Sequence, residues 1–191
     1  MEDKKSLFVA INLPMELKRE LFKIQKEINS QLGDEYKEAK IFKWVGMENL
    51  HITLKFIGEK GDSEIPKIII ETEKIARSQK PFEVKTERIC YDTSKKRPDL
   101  LMARGSVLGG GRVLGSGEML PRLIWLTTNK GHITLARIKQ WVFKKIEPEE
   151  RPSINQDFEA TIPVKSIELM ESVLKRTGPE YKIIKSFNLK T

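Results

Sequence analysis

Both histidines of the chain lie in a tetrapeptide that occurs twice, His51-Ile52-Thr53-Leu54 and His132-Ile133-Thr134-Leu135. Side chains alternate between faces along a β-strand, so each histidine shares a face with its threonine while the aliphatic residues point the other way. An imidazole, with an unperturbed pKa of about 6.5, accepts and donates protons near neutral pH, and a threonine hydroxyl donates hydrogen bonds to phosphate oxygens. Two such half-sites facing one groove would bind a single phosphate.

A single His-x-Thr segment is more often an ordinary part of a strand. Two copies that use every histidine of the chain favour a catalytic pair instead. A metal site is an alternative use of the two imidazoles, but two neutral ligands without an evident carboxylate partner form a poor donor set. The pattern therefore predicts acid and base chemistry at a phosphate, with no metal.

The segments around both motifs resemble those of the 2H phosphoesterases, and most closely the RNA 2',3'-cyclic phosphodiesterases, also called 2'-5' RNA ligases or LigT-like proteins. The resemblance covers most of the chain. It is carried by Phe42-Lys43-Trp44-Val45, by 48–59 around the first motif, by 132–139 around the second, and by the flanking segments 7–14 and 167–172.

Such membership implies an α+β fold with two pseudo-symmetric lobes, each an antiparallel sheet with flanking helices, around a central cleft. Residues 1–191 would form one bilobal domain. Each lobe would contribute one His-x-Thr motif to the cleft.

The resemblance also implies hydrolysis of 2',3'-cyclic phosphate ends of RNA to 2'-phosphates. His132 is expected to act as general base for water and His51 as general acid to O3', although the residues alone leave the opposite assignment open. Thr53 and Thr134 would hold the nonbridging oxygens and stabilise developing negative charge. No ATP, metal or other cofactor is implied, and the same proton transfers would allow reversible joining of a 2',3'-cyclic end to a 5'-hydroxyl through a 2'-5' linkage.

Three further side chains are candidates for substrate binding. Arg137 could bind phosphate or the RNA backbone, but strict alternation places it on the face opposite His132 unless the strand ends or bulges first. Trp44 could stack on a nucleobase, although core packing is the more usual role of such a residue. Lys55 shares the face of His51 and is a weaker electrostatic candidate.

Hydrophobic periodicity predicts the elements that must position these residues. They are, in chain order, strand 6–12, helix 17–28, strand 41–45, strand 50–57, helix 65–76, strands 82–91, 100–103 and 132–138, and strands 158–164, 166–174 and 179–189. We expect strand 50–57, helix 65–76 and strands 82–91 and 100–103 to form one lobe around His51.

The segment 105–131 is atypical, because it holds seven of the twelve glycines of the chain. Glycine costs about 1 kcal/mol relative to alanine in a helix, so a regular helix across 107–117 is improbable. Gly109-Gly110-Gly111 lacks the Gly-Lys-Ser/Thr ending of a phosphate-binding loop. Gly131 also stands where the resembling family usually has a proline.

Lysine and arginine outnumber the acidic residues by 35 to 27, which gives a net charge of +8 and favours an anionic partner such as RNA. Cys90 is the single cysteine, so an internal disulfide is excluded. The charged N-terminus is followed by only a short apolar stretch, which predicts neither a signal peptide nor a membrane span. We expect a monomeric, cytoplasmic protein that acts on tRNA-like RNA ends.

Two alternative functions remain open from the sequence. A 2H phosphodiesterase could act on a small cyclic phosphate or on a 2'-5' oligonucleotide. The chain could also be a noncatalytic RNA-binding module whose cleft the glycine-rich segment has disrupted.

Overall fold

A computed structural model of the chain describes residues 4–92, 98–108, 131–176 and 178–190. Within these residues the chain is α+β. The strands are β1 (Lys4–Asn12), β2 (Phe42–Trp44), β3 (His51–Gly61), β4 (Phe82–Tyr91), β5 (Leu100–Leu108), β6 (Gly131–Ile138), β7 (Asn155–Val164), β8 (Ser166–Lys175) and β9 (Gly178–Asn188). The helices are α1 (Met15–Gln31), α2 (Asp34–Glu38), α3 (Ile65–Ser78) and α4 (Gln140–Phe143), and short 3-10 turns cover Met47–Asn49 and Asp62–Glu64.

The strands form one antiparallel sheet in the order β7-β4-β5-β6-β3-β1-β8-β9, with β2 also paired to β6. Its centre is narrow, because β3 and β6 are joined by the single pair Ile52 and Ile133. The sheet therefore consists of two halves that meet between the two His-x-Thr motifs. We call β3, β1, β8 and β9 the His51 half, and β6, β5, β4, β7 and β2 the His132 half.

The α+β architecture with paired antiparallel halves is as predicted, but the expected membership of the halves is wrong. Strands 82–91 and 100–103, expected around His51, are β4 and β5, and β5 pairs with β6 in the His132 half. The His51 half is completed by β8 and β9 from the end of the chain. Chain order does not fix strand pairing, and here each half takes strands from separate parts of the sequence.

Helices flank the sheet. Leu17, Leu21 and Ile28 of α1 are buried, as expected for an amphipathic helix on a sheet. The Gln25 side chain of α1 donates hydrogen bonds to the backbone oxygens of Val45 and Leu135, so this helix contacts the His132 half. Helix α3 instead packs on β8 and β9 of the His51 half.

Most of the glycine-rich segment 105–131 lies outside the described residues. At its start, Gly105 lies in β5 against the bulged strand β4, where a Cβ atom would fall 2.2 Å from the backbone oxygen of Lys85. This close approach of two backbones admits only glycine. At its end, Gly131 opens β6 directly before His132.

Among the described residues, no helix has the length and apolar character needed to cross a membrane.

Candidate active site

Strand β3 places the first motif. Ile52 and Leu54 are buried in the core, whereas His51 and Thr53 are partly exposed on the other face. The alternation predicted from the sequence is therefore present. Antiparallel pairing with β1, which includes the pairs of Asn12 with His51 and Ala10 with Thr53, fixes the orientation of this face.

The hydrogen bonds of His51 define its tautomer. Its Nδ1 atom lies 2.7 Å from the backbone oxygen of Asn49, and its Nε2 atom lies 2.8 Å from Thr53 Oγ1. A carbonyl oxygen only accepts, so Nδ1 carries a proton and donates it. In the neutral imidazole the Thr53 hydroxyl then donates to Nε2, which leaves Nε2 as the atom that exchanges protons with a ligand.

Aromatic rings surround His51. The Tyr181 ring meets the imidazole edge-on, with centroids 5.1 Å apart and an interplanar angle of 89°. Phe8 lies 5.2 Å from the imidazole and 5.0 Å from Tyr181. Phe56 lies on the same face of β3 as His51, with its ring 6.2 Å from that of Phe8. It is 69% exposed and is the solvent-exposed member of this aromatic group.

Asn49 ties Tyr181 to the catalytic strand. Its side-chain Nδ2 donates to the backbone oxygen of Pro179 at 2.7 Å, and its Oδ1 accepts from the Tyr181 amide at 3.2 Å. The same residue therefore orients His51 through its backbone oxygen and holds the start of β9 through its amide. Sequence reasoning missed this role, because the contact joins segments about 130 residues apart and has no local signal.

Strand β6 places the second motif. Ile133 and Leu135 are buried, and His132 and Thr134 are partly exposed. Because β3 and β6 run antiparallel and pair at Ile52 and Ile133, each histidine lies near the threonine of the other motif in register. The two motifs are thus related by a local two-fold arrangement, which is what two equivalent half-sites require.

A β-bulge in β6 determines the position of Arg137. Met102 pairs with Thr134 and Leu101 pairs with Ala136, so Leu135 is the extra residue. A bulge reverses the alternation that follows it, and Arg137 accordingly lines the same cleft as His132. The bulged Leu135 oxygen accepts from the Val45 amide at 2.9 Å and from the Gln25 side chain at 2.8 Å.

The two motifs line one cleft of about 620 Å³ between the halves. All four residues of the His-x-Thr pairs reach it, and so do Arg137 and Lys55. Its wall also includes the aromatic group on the side of His51. The geometry combines two imidazoles, two hydroxyls and the guanidinium of Arg137, which suits a phosphate ester with an attached base or sugar.

Burial lowers the pKa of His51 from its ordinary value. The hydrogen bond to the Asn49 backbone oxygen opposes this shift, and the nearby charges of Lys18, His132 and Arg137 add to it. Burial also lowers the pKa of His132, whereas the carboxylate of Asp92 raises it. Both imidazoles therefore favour the neutral form in the free protein. A bound phosphate would offset the surrounding positive charge and raise both pKa values.

Trp44 is not among the residues that line the cleft, contrary to its assignment as a base-stacking residue. Its indole Nε1 donates to Asn29 Oδ1 at 3.1 Å, and its ring packs 5.2 Å from that of Phe42. Trp44 pairs with Ala136, which precedes Arg137 in β6, so it lies on the face opposite the one that Arg137 presents to the cleft. The aromatic residues beside the histidines are instead Phe8 and Tyr181.

In the part of the chain that the structure describes, no group of three or more histidine, cysteine, aspartate or glutamate side chains is arranged to hold a metal ion.

Comparison with known proteins agrees with this geometry. A sequence model of the family described as LigT like phosphoesterase matches residues 11–101, which include the first motif. An RNA 2',3'-cyclic phosphodiesterase of Thermus thermophilus is 29% identical over 195 residues, which cover 96% of this chain and 90% of that protein. A protein of the same name from Aquifex aeolicus is 27% identical over 158 residues, which cover 77% of this chain and 81% of that protein.

A solved structure has the same fold over nearly the whole chain. The crystal structure of TT0787 from Thermus thermophilus superimposes with a TM-score of 0.70 at 25% identity, covering 97% of this chain and 98% of that one. The likeness thus extends past residue 101 and includes the strand of the second motif.

Proposed function

We propose that this chain, which belongs to the LigT-like phosphoesterase family, hydrolyses 2',3'-cyclic phosphate ends of RNA to 2'-phosphates by acid–base catalysis with two histidines. The observation that carries the proposal is the single cleft lined by both His-x-Thr motifs. The curated relatives from Thermus thermophilus and Aquifex aeolicus are named RNA 2',3'-cyclic phosphodiesterases, which supports the same substrate class.

The reaction breaks the P–O3' bond and forms a new bond from phosphorus to a water oxygen. We assign His132 as the base that takes the water proton and His51 as the acid that gives a proton to O3'. The bond from His51 Nδ1 to the Asn49 oxygen assigns the donor role to Nε2, which must exchange its contact with Thr53 Oγ1 for one with the substrate. Afterwards His132 is protonated and His51 is neutral, and exchange with solvent restores the starting state.

Charge on the phosphate is stabilised by groups already in the cleft. The Thr53 and Thr134 hydroxyls are assigned to the nonbridging oxygens, where positioned donors stabilise the transition state. Arg137 adds positive charge in the cleft. Lys55, expected to share the face of His51, instead pairs with Val9 after a bulge at Leu54 and lies on the opposite face, so it is the weaker candidate. Arg137 can donate two parallel hydrogen bonds to a phosphate, which makes it the stronger ligand of the two.

The same proton transfers, with a 5'-hydroxyl in place of water, would form a bond from phosphorus to O5', break the P–O3' bond and leave a 2'-5' linkage, and this step is reversible. We propose this ligation as a secondary activity. Hydrolysis is expected to dominate because water is the more abundant nucleophile.

Finer features of the function are also proposals. We propose that neither metal nor nucleotide is needed, since the two imidazoles can supply both proton transfers. We further propose that the protein acts as a monomer, because one chain supplies both motifs, and that it works in the cytoplasm on tRNA-like ends. Light scattering in solution tests the monomeric state, and fractionation of the source cells tests the cytoplasmic location.

The test of the main proposal is incubation of the pure protein, treated with chelator, with an RNA ending in a 2',3'-cyclic phosphate. The 2'-phosphate, 3'-phosphate and unreacted ends are resolved, with His51→Ala and His132→Ala in parallel. We expect a 2'-phosphate product that falls by about 10²–10⁴-fold in each variant. RNA binding without turnover would identify a binding module, and turnover confined to small cyclic phosphates or 2'-5' oligonucleotides would identify a different substrate.

A further inference from the structure

Arg104 of β5 lies beside His132 but outside the cleft already described. The two residues are register partners on neighbouring antiparallel strands. Such partners project to the same face of a sheet, with Cβ atoms about 4.5–5.5 Å apart. The guanidinium of Arg104 therefore lies on the same face as His132.

Arg104 lines a second cavity of about 540 Å³, together with Asp92, Arg151 and Tyr91. Asp92 is close enough to His132 to act on its protonation. The second cavity therefore lies near His132, through the register partner Arg104 and the carboxylate of Asp92.

The charges of the second cavity favour an anion. Within the described residues, the Arg104 side chain makes no hydrogen bond or ion pair. The Asp92 carboxylate accepts a hydrogen bond from the Asp99 amide, whereas Arg151 stacks on the Phe143 ring at 4.8 Å and donates from Nε to the Ile146 oxygen. Two guanidinium groups thus face one carboxylate that already has a partner.

We propose that Arg104 and the second cavity bind the phosphodiester that precedes the terminal nucleotide of the RNA, so that the enzyme prefers an RNA chain to a cyclic mononucleotide. The inference rests on the proposed function, because it takes the cyclic phosphate to lie between the two histidines. A cyclic mononucleotide has only that phosphate, whereas an RNA chain carries a second anionic group one nucleotide away. Arginine suits such a group through two parallel hydrogen bonds to its oxygens.

The test compares kcat/KM for a 2',3'-cyclic mononucleotide with that for a short RNA ending in the same nucleotide. We define the preference ratio as kcat/KM for the RNA divided by kcat/KM for the mononucleotide, and we expect it to exceed one in the natural protein. Arg104→Gln should lower this ratio by roughly tenfold, which is the effect of losing one charge-assisted hydrogen-bonded contact. Replacing the preceding linkage by an uncharged methylphosphonate should lower the ratio of the natural protein equally. In Arg104→Gln, the methylphosphonate replacement should change the ratio little further.

The matched control is Arg88→Gln. Arg88 pairs with Arg104 across β4 and β5 on the same face, but it already contacts Asp157 and Asn155. Its substitution should leave the ratio close to that of the natural protein.

Equal rates on both substrates, or an equal fall of the ratio in the two arginine variants, would overturn the second phosphate site while leaving the proposed function intact. Binding of the 2'-phosphate RNA product, measured by fluorescence anisotropy, tests the site without turnover. Arg104→Gln should weaken binding of the RNA product more than that of the mononucleotide product. Equal weakening of both products would also overturn the proposal.

Discussion

His51 Nδ1 donates a hydrogen bond of 2.7 Å to the backbone oxygen of Asn49, two residues before it. This bond fixes the proton on Nδ1 and presents Nε2 to the cleft. The Asn49 side chain meanwhile holds the backbone of Pro179 and Tyr181, so the ring that covers His51 is attached to the same residue that orients it. One residue therefore controls both the tautomer and the solvation of the proposed acid.

Asn49→Ala should raise the pKa of His51 toward its ordinary value. Burial is the main cause of the lowered pKa, and loss of the amide releases the Tyr181 wall and admits water. We also expect a loss of about 1 kcal/mol in the free energy of unfolding. NMR titration of the His51 ring measures the pKa. Asn29→Ala is the control, since Asn29 contacts Trp44 instead, and a His51 pKa that stays at its natural value in Asn49→Ala would contradict the prediction.

The pH dependence of kcat/KM should be bell-shaped, with its maximum below about pH 6.5. This profile reports the free enzyme, in which one histidine must be protonated and the other neutral, and burial lowers both pKa values. Bound phosphate raises them, so the maximum of kcat should lie at higher pH than that of kcat/KM. A kcat/KM maximum above neutral pH would contradict the lowered values.

Gln25→Met should disturb the bulge that turns Arg137 into the cleft. The substitution removes hydrogen bonds to the buried carbonyl groups of Val45 and Leu135, which should cost about 1–3 kcal/mol in the free energy of unfolding. We expect KM for RNA to rise more than kcat falls. If Gln25 acts through Arg137, the effects of Gln25→Met and Arg137→Ala on KM will be less than additive, and full additivity would show that the two residues act independently.

Gly105→Ala should destabilise the His132 half. A Cβ atom there would clash with the Lys85 oxygen and the Thr86 Cα. Both are backbone atoms of β4, so no side-chain rotation can relieve the clash. We expect a loss of about 1–3 kcal/mol or more in the free energy of unfolding, measured by urea denaturation. Gly46→Ala is the matched control, because a Cβ atom at Gly46 meets nothing within 4 Å and its φ is −61°. Equal stability of the two variants would contradict the close packing at Gly105.

Much of the fold could be predicted from the sequence because hydrophobic period and turn residues are local. The helices and strands assigned within the described residues are present, and the alternation that separates His51 and Thr53 from Ile52 and Leu54 is visible in the motif itself. Strand pairing was not predictable in the same way. Each half combines strands from distant parts of the chain. The pairing of β8 with β1, for example, joins residues about 160 positions apart in the sequence.

The residues of the cleft likewise divide into those with a local sequence signal and those without one. Strict alternation alone puts Arg137 on the face opposite His132, and the bulge that the sequence analysis leaves open is what brings it into the cleft. Two consecutive apolar residues, Leu135 and Ala136, break the period and indicate where the bulge lies. Tyr181 reaches His51 only through the β8–β9 hairpin and the Asn49 amide, for which the sequence has no local signal. Trp44 had the right residue type for stacking on a base, but β2 directs it toward Asn29.

The central claim is that the two histidines act as acid and base on one phosphate, and a substrate with a sulfur atom at the bridging 3' position tests it most directly. A thiol has a pKa of about 8.5, so its thiolate leaves without a proton. We expect this substrate to restore most of the single-turnover rate of His51→Ala and none of that of His132→Ala, relative to the oxygen substrate. Restoration of His132→Ala alone would reverse the two roles, and restoration of neither variant would contradict acid–base catalysis by this pair.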